Sequence, residues 1–249
     1  KVFDGRERWN LTETRNQAVA APGAALPAAR FRHERKHYIT PADHAALCQR
    51  LAPVMERDPH ARPDGTYTVH SLYFDDWRDT ALREKIDGLP RREKFRIRYY
   101  NGDLSFIRLE KKSKVRGLCR KEGAPLSLEQ CRQLMRGEFW RLPQQAHPLV
   151  AEFAAKCRWR QLRPRTCVVY RRDAFLYGPG NVRITVDDRI GSGSPAGFLE
   201  PAQPLCTGST VLLEVKYDQF LPEHIAGLVE LSHRWGTAFS KYACARQAL

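Results

Sequence analysis

Two neighbouring segments of the chain alternate strictly between charged and uncharged positions. In KFRIRYY, residues 94–100, the cations occupy every second position up to Arg98. In SFIRLEKKSK, residues 105–114, every second position from Arg108 onward is charged, and Glu110 is the single carboxylate of that set. A period of two is typical of β-strands, and Asn101-Gly102 between the segments favours a tight hairpin turn. The sequence therefore predicts a hairpin with one face made almost entirely of charges.

Alternation of the same period recurs along the chain, and helix signals lie between the alternating segments. The predicted strands are residues 30–39, 66–74, 94–100, 105–114, 167–176, 182–190 and 211–217. The predicted helices are residues 40–56, 127–137, 147–162 and 222–236, the first two opened by N-cap signals at Thr40 and Ser127. We expect an α+β fold, an antiparallel sheet closed into a β-barrel with helices packed outside, because closure removes exposed strand edges.

Most of the predicted strands carry one apolar face and one face of Arg, Lys and a spaced carboxylate. An ordinary amphipathic sheet, with its charges in water, explains this pattern strand by strand. The inverse geometry explains it as well: apolar faces pack outward on helices and charged faces converge on a wet lumen. The cations are mostly Arg, which suits bidentate contacts to phosphate oxygens. The residues alone leave both geometries open.

Composition narrows the class of partner without choosing one. The formal net charge of +14 predicts an anionic partner: nucleic acid, an acidic membrane surface or a phosphorylated small molecule. No apolar run is long enough for a transmembrane helix, and the first residues, KVFDGRERWN, do not resemble a signal peptide. Seven scattered cysteines without a CxxC pair predict free thiols and a cytoplasmic location.

The first 29 residues differ in composition from the rest. They contain VAAPGAALPAA, an Ala/Pro/Gly stretch without periodicity that is typical of a linker. We expect residues 1–29 to form an N-terminal arm or linker and residues 30–249 to form one domain.

Eight short motifs in a fixed order resemble the VTC domain, the polyphosphate polymerase domain of the vacuolar transporter chaperone family, within the triphosphate tunnel metalloenzymes. They are RHERK (32–36), SLYFD (71–75), KFRIR (94–98), LEKK (109–112), YRR (170–172), RITVD (183–187), LEVK (213–216) and FSKY (239–242). The resemblance covers about residues 30–246 and is closest to the bacterial type of member.

The resemblance implies an eight-stranded antiparallel tunnel that transfers the γ-phosphate of ATP to a growing polyphosphate chain with Mn²⁺ or Mg²⁺. The implied partners are ATP and polyphosphate or tripolyphosphate, with no nucleic acid. A membrane partner protein and the oligomeric state stay open. Tunnel enzymes also include hydrolases of tripolyphosphate or nucleoside triphosphates, and a catalytically idle module that binds polyphosphate or inositol phosphates is a further alternative.

The matched motifs also imply site residues. The expected catalytic residues are Arg98, Lys112, Arg183, Lys216 and Lys241. The expected substrate-binding residues are Lys36, Arg96, Arg120, Lys121, Tyr170 and Arg172. The expected metal ligands are Glu214 first, with Glu34 and Glu110 in support. The chain departs from the Glu-x-Glu-x-Lys opening of the tunnel enzymes, because Arg32 stands at the first position and leaves Glu34 and Lys36.

Overall fold

The computed structural model describes residues 32–115, 118–142, 147–200, 205–206, 210–231 and 236–247. The predicted N-terminal arm, residues 1–29, lies outside the described residues.

Ten strands form one antiparallel sheet. They are β1 (His33–Ile39), β2 (Glu56–Arg57), β3 (Thr66–Asp75), β4 (Arg91–Tyr100), β5 (Asp103–Val115), β6 (Leu118–Leu126), β7 (Arg163–Tyr177), β8 (Val182–Gly193), β9 (Leu205–Cys206) and β10 (Val211–Tyr217). Eight of them form a continuous ladder in the order β1-β10-β8-β7-β3-β4-β5-β6, while β2 pairs with β7 and β9 with β8. Because β7 pairs with both β3 and β8, it links the two halves of the sheet.

Six α-helices accompany the sheet in the described part of the chain. They are α1 (Pro41–Leu51), α2 (Thr80–Ile86), α3 (Leu128–Met135), α4 (Pro148–Trp159), α5 (Glu223–Val229) and α6 (Lys241–Gln247). Capping boxes open α1 at Thr40 and α3 at Ser127, as the sequence predicts.

The apolar faces of the strands point outward onto helices. One core cluster packs Phe95 and Ile97 of β4 and Leu109 of β5 against α3 and α4. A second packs Ile184 of β8 and Val215 of β10 against α1 and α5. The charged faces consequently turn inward. This is the inverse geometry, and the ordinary amphipathic sheet with its charges in water is wrong.

The hydrogen-bonded ladder does not close into a barrel. Among the described residues, β1 and β6 are joined by one isolated antiparallel bridge, Arg32–Cys119, and by no ladder. The backbone of β6 favours an edge, since Gly123 and Pro125 weaken a strand and Pro125 has no N–H to donate. Side chains cross the open seam instead: Lys112 Nζ of β5 lies 2.8 Å from Glu34 Oε2 of β1.

The expected α+β class, with an antiparallel sheet and helices outside, is confirmed, and all seven predicted strands are present. The predicted turn has Asn101 at φ 53° and Gly102 at φ 77°, which are the left-handed conformations of a type I′ hairpin. Two predicted helices are shorter than expected: α1 ends at Leu51 and α5 at Val229. The strands β2, β6 and β9 and the helices α2 and α6 are absent from the residue-by-residue prediction.

The packing of α4 predicts a large cost for truncating Phe153. This side chain is 0% exposed, and its ring centroid lies 4.9 Å from that of Phe74 and 5.0 Å from that of Phe95. Phe153→Ala is expected to lower the free energy of unfolding by about 3–5 kcal/mol, measured by urea denaturation, because a cavity remains in the core. Trp159→Ala on the same helix is the control, since Trp159 is 67% exposed. Equal losses in the two variants would contradict this packing.

Candidate active site

The charged faces enclose a lumen in which cations outnumber carboxylates. The cations come from seven strands and from α6: Lys36, Lys94, Arg96, Arg98, Lys112, Lys121, Arg172, Arg183, Lys216 and Lys241. The carboxylates that contact them are Glu34, Asp58, Glu110, Asp187 and Glu214. With the exception of Arg120, every residue that the sequence assigns to the site lies in this lumen, within three connected groups of contacts or beside them.

The first group joins β1 to β10 through two carboxylates and two shared lysines. Lys36 Nζ lies 3.3 Å from Glu214 Oε1 and 3.6 Å from Glu34 Oε1. Lys216 Nζ lies 2.6 Å from Glu214 Oε2 and 3.8 Å from Glu34 Oε1. The antiparallel register places Lys36 opposite Glu214 and Glu34 opposite Lys216, so the pairing follows from the strands themselves.

Burial and charge act differently on the two lysines of this group. Burial favours the neutral amine, but the carboxylates of Glu214 and Glu34 outweigh it and raise the pKa of Lys36. For Lys216 burial prevails over the same two carboxylates and lowers its pKa to about 8. Lys36 is therefore a fixed cation, whereas Lys216 titrates near pH 8.

The second group is centred on Asp187 of β8, which is 0% exposed. Arg172 of β7 grips it with two hydrogen bonds, Nε to Oδ1 at 2.6 Å and Nη2 to Oδ2 at 2.8 Å. Lys241 Nζ of α6 lies 2.5 Å from Asp187 Oδ2 and 3.4 Å from Glu214 Oε1. Burial would raise the pKa of Asp187, but Arg172 and Lys241 hold it below its ordinary value. Lys241 joins this second group to the first, because it contacts both carboxylates.

The third group surrounds Glu110 of β5 with cations. Arg96 donates from Nε to Glu110 Oε2 at 2.7 Å, and Lys121 Nζ lies 2.6 Å from Oε1. Arg98 Nη1 is 3.8 Å from Oε2, and its other nitrogens donate to Ser71 Oγ and the Tyr170 hydroxyl at 3.1 Å each. Burial opposes ionisation here as well, but these cations hold the pKa of Glu110 well below its usual range.

Arg183 lies at a separate position of the lumen. Its Nη2 donates to Asp58 Oδ2 and to the Tyr67 hydroxyl, both at 2.8 Å. Asp58 follows the short strand β2 and is almost fully buried. Among the described residues no ion pair links Arg183 to the three groups, so it extends the cationic surface beyond them.

Two of the predicted substrate-binding residues differ from expectation. Tyr170 is 1% exposed and lies beneath the cations, with Lys241 Nζ 4.7 Å and Arg172 Cζ 5.2 Å from its ring centroid. It therefore supports the cations and does not offer a free face to a nucleotide base. Arg120 is on the opposite face of β6 from Lys121, is 49% exposed and pairs with Glu122. Strand alternation turns it away from the lumen.

A cavity of about 160 Å³ lies beside the first group, between α2, β1, β4, β5 and the residues preceding α6. Lys36, Lys94 and Lys112 line it. Within the described part of the chain, Lys94 has no carboxylate partner; its Nζ lies over the ring of Tyr73, 5.5 Å from the centroid. Burial, with a smaller effect of nearby cations, lowers the pKa of Lys94 to about 7. An anion that enters this cavity meets the Lys94 amine, which no carboxylate of the described residues pairs with, although Glu34 and Glu93 also line the cavity.

The first group also offers oxygen ligands of the kind that Mg²⁺ and Mn²⁺ prefer. Glu214 and Glu34 both contact Lys36 and Lys216, so their carboxylates face the same small region. Glu110, the third predicted metal ligand, is enclosed by Arg96, Arg98 and Lys121 and does not fit such a site. Arg32 does not take part in the first group of contacts, because its Nε pairs with Asp218 at 2.9 Å.

Sequence reasoning gave no site role to three residues of the lumen that matter to its chemistry. Asp187 shares its parity with Arg183 and ends one of the eight motifs, so parity was a sufficient signal. Lys94 begins another motif, but nothing in the sequence shows that it lacks a carboxylate partner. Asp58 lies outside the predicted strands and gave no signal.

Two solved structures are similar to this chain at low sequence identity. A putative adenylyl cyclase from Hippeastrum, described as revealing a dominant triphosphatase activity, superposes with a TM-score of 0.50 at 15% identity, over 88% of this chain and 96% of that one. A putative adenylate cyclase from Bacillus halodurans gives a TM-score of 0.49 at 14% identity, over 80% of this chain and 86% of that one. No curated protein matches the sequence.

An inward-facing cationic lumen lies within this fold, which the Hippeastrum protein shares at low identity. The family model of the VTC domain matches residues 31–249. The chain belongs to the VTC domain family. Among the described helices, none has the length and apolar character needed to cross a membrane.

The buried contacts of Asp187 predict that its charge is needed for stability. Asp187→Asn leaves Arg172 and Lys241 without their shared counter-charge, and we expect the free energy of unfolding to fall by about 3–5 kcal/mol. Glu122→Gln, which breaks the exposed pair with Arg120, is expected to cost less than about 1 kcal/mol. Urea denaturation of both variants checks this. A loss for Asp187→Asn no larger than that of the control would show that the buried pair is dispensable.

The lowered pKa of Lys94 predicts that anion affinity depends on pH. The Lys94 ammonium is abundant only below about pH 7, so Lys94→Met should weaken tripolyphosphate binding about tenfold or more at pH 6, the cost of one charge-assisted contact. Above pH 8 the two proteins should converge, because the wild-type amine is then neutral. Calorimetric titrations from pH 6 to 9 measure the ratio of the tripolyphosphate affinities of the wild type and Lys94→Met. Lys111→Met, on the outer face of β5, is the control. A ratio that does not change with pH would contradict the assignment.

Proposed function

We propose that this protein transfers the γ-phosphate of ATP to a polyphosphate chain inside the lumen, with a divalent metal ion. The observation that carries the proposal is the convergence of lumen cations from seven strands and α6 on a space that also contains the Glu34–Glu214 pair. Membership of the VTC domain family supports the same reaction.

The residues have separable roles in this proposal. Arg98 and Lys112, held by Glu110 and Glu34 respectively, contact the phosphate oxygens along β4 and β5. Arg183, Lys216 and Lys241 contact them from the opposite wall. Crowded guanidinium and ammonium groups stabilise the charge on the transferred phosphoryl group and position the attacking oxygen in line. The remaining substrate surface is formed by Lys36, Arg96, Lys121 and Arg172.

Glu214 and Glu34 are the residues that would hold Mn²⁺ or Mg²⁺. When bound, the metal neutralises phosphate charge and orients the reacting oxygens. The two carboxylates are already ionised. Lys216, Lys36 and Lys112 counter the effect of burial and keep the pKa of Glu34 below its ordinary value. The pKa of Glu214 is lowered in the same way by its own lysine neighbours. The lysines that pair with these carboxylate oxygens would pair with the oxygens of a bound phosphate instead.

Two other activities use the same lumen. Hydrolysis of tripolyphosphate or a nucleoside triphosphate is supported by the dominant triphosphatase activity ascribed to the Hippeastrum protein, which shares the fold at low identity. A binding module for polyphosphate or inositol phosphates needs only the cations. The three activities differ in what reaches the acceptor position. Polyphosphate reaches it in a polymerase, water reaches it in a hydrolase, and nothing reaches it in a binding module.

We also propose a cytoplasmic location and no role in nucleic-acid binding. The six cysteines whose side chains are described are free thiols, which is typical of a reducing compartment. The site cations face one another inside a small, strongly curved sheet, whose interior admits a small ligand or a thin chain but not a duplex. A membrane partner and the oligomeric state are not part of the proposal.

Incubation with ATP and Mn²⁺ or Mg²⁺, followed by gel separation of the products, tests the reaction. We expect a ladder of polyphosphate from the wild type and a loss of at least about 100-fold in rate from Arg98→Ala, Arg183→Ala and Glu214→Gln, since each removes a charge from the transition-state environment. Lys111→Ala on the outer face is the control. Circular dichroism confirms that each variant is folded.

Each result has one interpretation. Free phosphate without a ladder replaces the polymerase with a hydrolase. No turnover with either metal, together with strong thermal stabilisation by tripolyphosphate, replaces it with a binding module, because a ligand bound at 100 times its Kd adds about 2.7 kcal/mol to stability. Wild-type yield from all three lumen variants overturns the site assignment.

A further inference from the structure

Three side chains with metal-binding atoms meet outside the lumen, where α1 lies against β7. His44 and Cys48 are one helical turn apart on α1 and share a face. Asp173 of β7 has the same parity as Phe175, which packs in the outer core with Leu47 and Leu51 of α1. One potential ligand atom from each of the three side chains lies within 4.8 Å of the other two.

The ring of His44 is oriented by a carboxylate on each side. Its Nε2 lies 2.9 Å from Asp173 Oδ2, and its Nδ1 lies 3.7 Å from Asp188 Oδ2. When one nitrogen of a histidine binds a metal, the other usually faces a carboxylate or a carbonyl group. Asp188 occupies that outer position here, and Arg171 fixes it with a hydrogen bond from Nε to Oδ1 at 2.8 Å.

Asp173 has an outer partner of its own. Arg57 donates from Nη1 to Asp173 Oδ1 at 3.0 Å, which leaves Oδ2 directed at His44. The carboxylate is almost fully buried, whereas the side chains of His44 and Cys48 keep some exposure. An ion can therefore reach three oriented donors from the solvent side of the sheet.

The donor chemistry separates this cluster from the lumen. An imidazole nitrogen, a thiolate sulfur and a carboxylate oxygen together suit Zn²⁺, whereas Mg²⁺ and Mn²⁺ prefer oxygen ligands alone. Three protein ligands leave the fourth tetrahedral position to water. The Cys48 thiolate and the Asp173 carboxylate balance the two positive charges of the ion. Hydrogen bonds with Asp173 and Cys48 raise the pKa of His44 to about 9, so the His44 imidazolium proton and the Cys48 thiol proton both pass to solvent on binding.

We propose that His44, Cys48 and Asp173 form a zinc site on the outer face of the sheet that fixes α1 to β7. The site stabilises the start of the fold and takes no part in the chemistry of the lumen. It is independent of the proposed phosphoryl transfer.

Metal titrations of the full chain, after removal of metal with a chelator, test the site. Zn²⁺ affinity is measured by competition with a chromophoric chelator, and Co²⁺ replaces Zn²⁺ as a spectroscopic probe of thiolate coordination. We expect one high-affinity Zn²⁺ per chain, a sulfur-to-cobalt charge-transfer band, and a rise in melting temperature with Zn²⁺. Cys48→Ser should abolish the band and weaken Zn²⁺ binding at least about 100-fold, more than the loss of an outer partner costs.

Two control variants and a second ligand variant make the result decisive. Cys244→Ser removes a partly exposed free cysteine of α6, and Glu214→Gln removes a lumen carboxylate; both should keep the band and the affinity. His44→Gln should weaken Zn²⁺ binding as Cys48→Ser does, and it serves in its place if that variant does not fold. A wild-type protein without the charge-transfer band, or Zn²⁺ binding that both ligand variants retain, overturns the proposal and leaves the cluster as an ion-pair network.

Discussion

The interior of this protein contains more positive charge than its own carboxylates balance, and the remaining features of the fold accommodate that charge. Removing a single ion from water costs several kcal/mol even after relaxation of its surroundings. Arg172 and Lys241 are stable inside because Asp187 lies between them, and Arg96 because it pairs with Glu110. With the charges inward, the apolar faces of the strands need cover, which α1, α3, α4 and α5 provide.

The lumen carboxylates therefore act before any ligand arrives. They hold lysine and arginine side chains in fixed positions at the walls, so that little reorganisation is needed when phosphate oxygens replace them. Lys94 is different, since no carboxylate of the described residues holds it and its pKa falls to about 7. The wall beside α2 thus gains or loses a positive charge near neutral pH, while the charges around Glu110 and Asp187 stay constant.

The sequence predicts the elements and the direction of their faces better than it predicts contacts. Alternation of period two located seven strands, because a sheet with an apolar outer face requires it. The sequence does not predict β6, because Gly-Ala-Pro at residues 123–125 lacks the β-branched and aromatic residues of a strand. It does not predict α6, because this helix has only seven residues and no clear capping residue. The burial of Tyr170 depends on cross-strand register, and the outward turn of Arg120 on the missed strand β6, neither of which a single sequence displays.

The pairing of β1 with β10 sets the order in which the sheet is completed. His33 of β1 lies opposite Tyr217 of β10, so the first strand finds its ladder partner only after nearly the whole sheet sequence has left the ribosome. Contacts between residues so far apart form late and fold slowly, because the loop must close before the pairing stabilises it. During synthesis, Glu34 and Lys36 therefore remain in water until β10 is available, whereas the contacts of Glu110 are formed by the consecutive strands β4, β5 and β6.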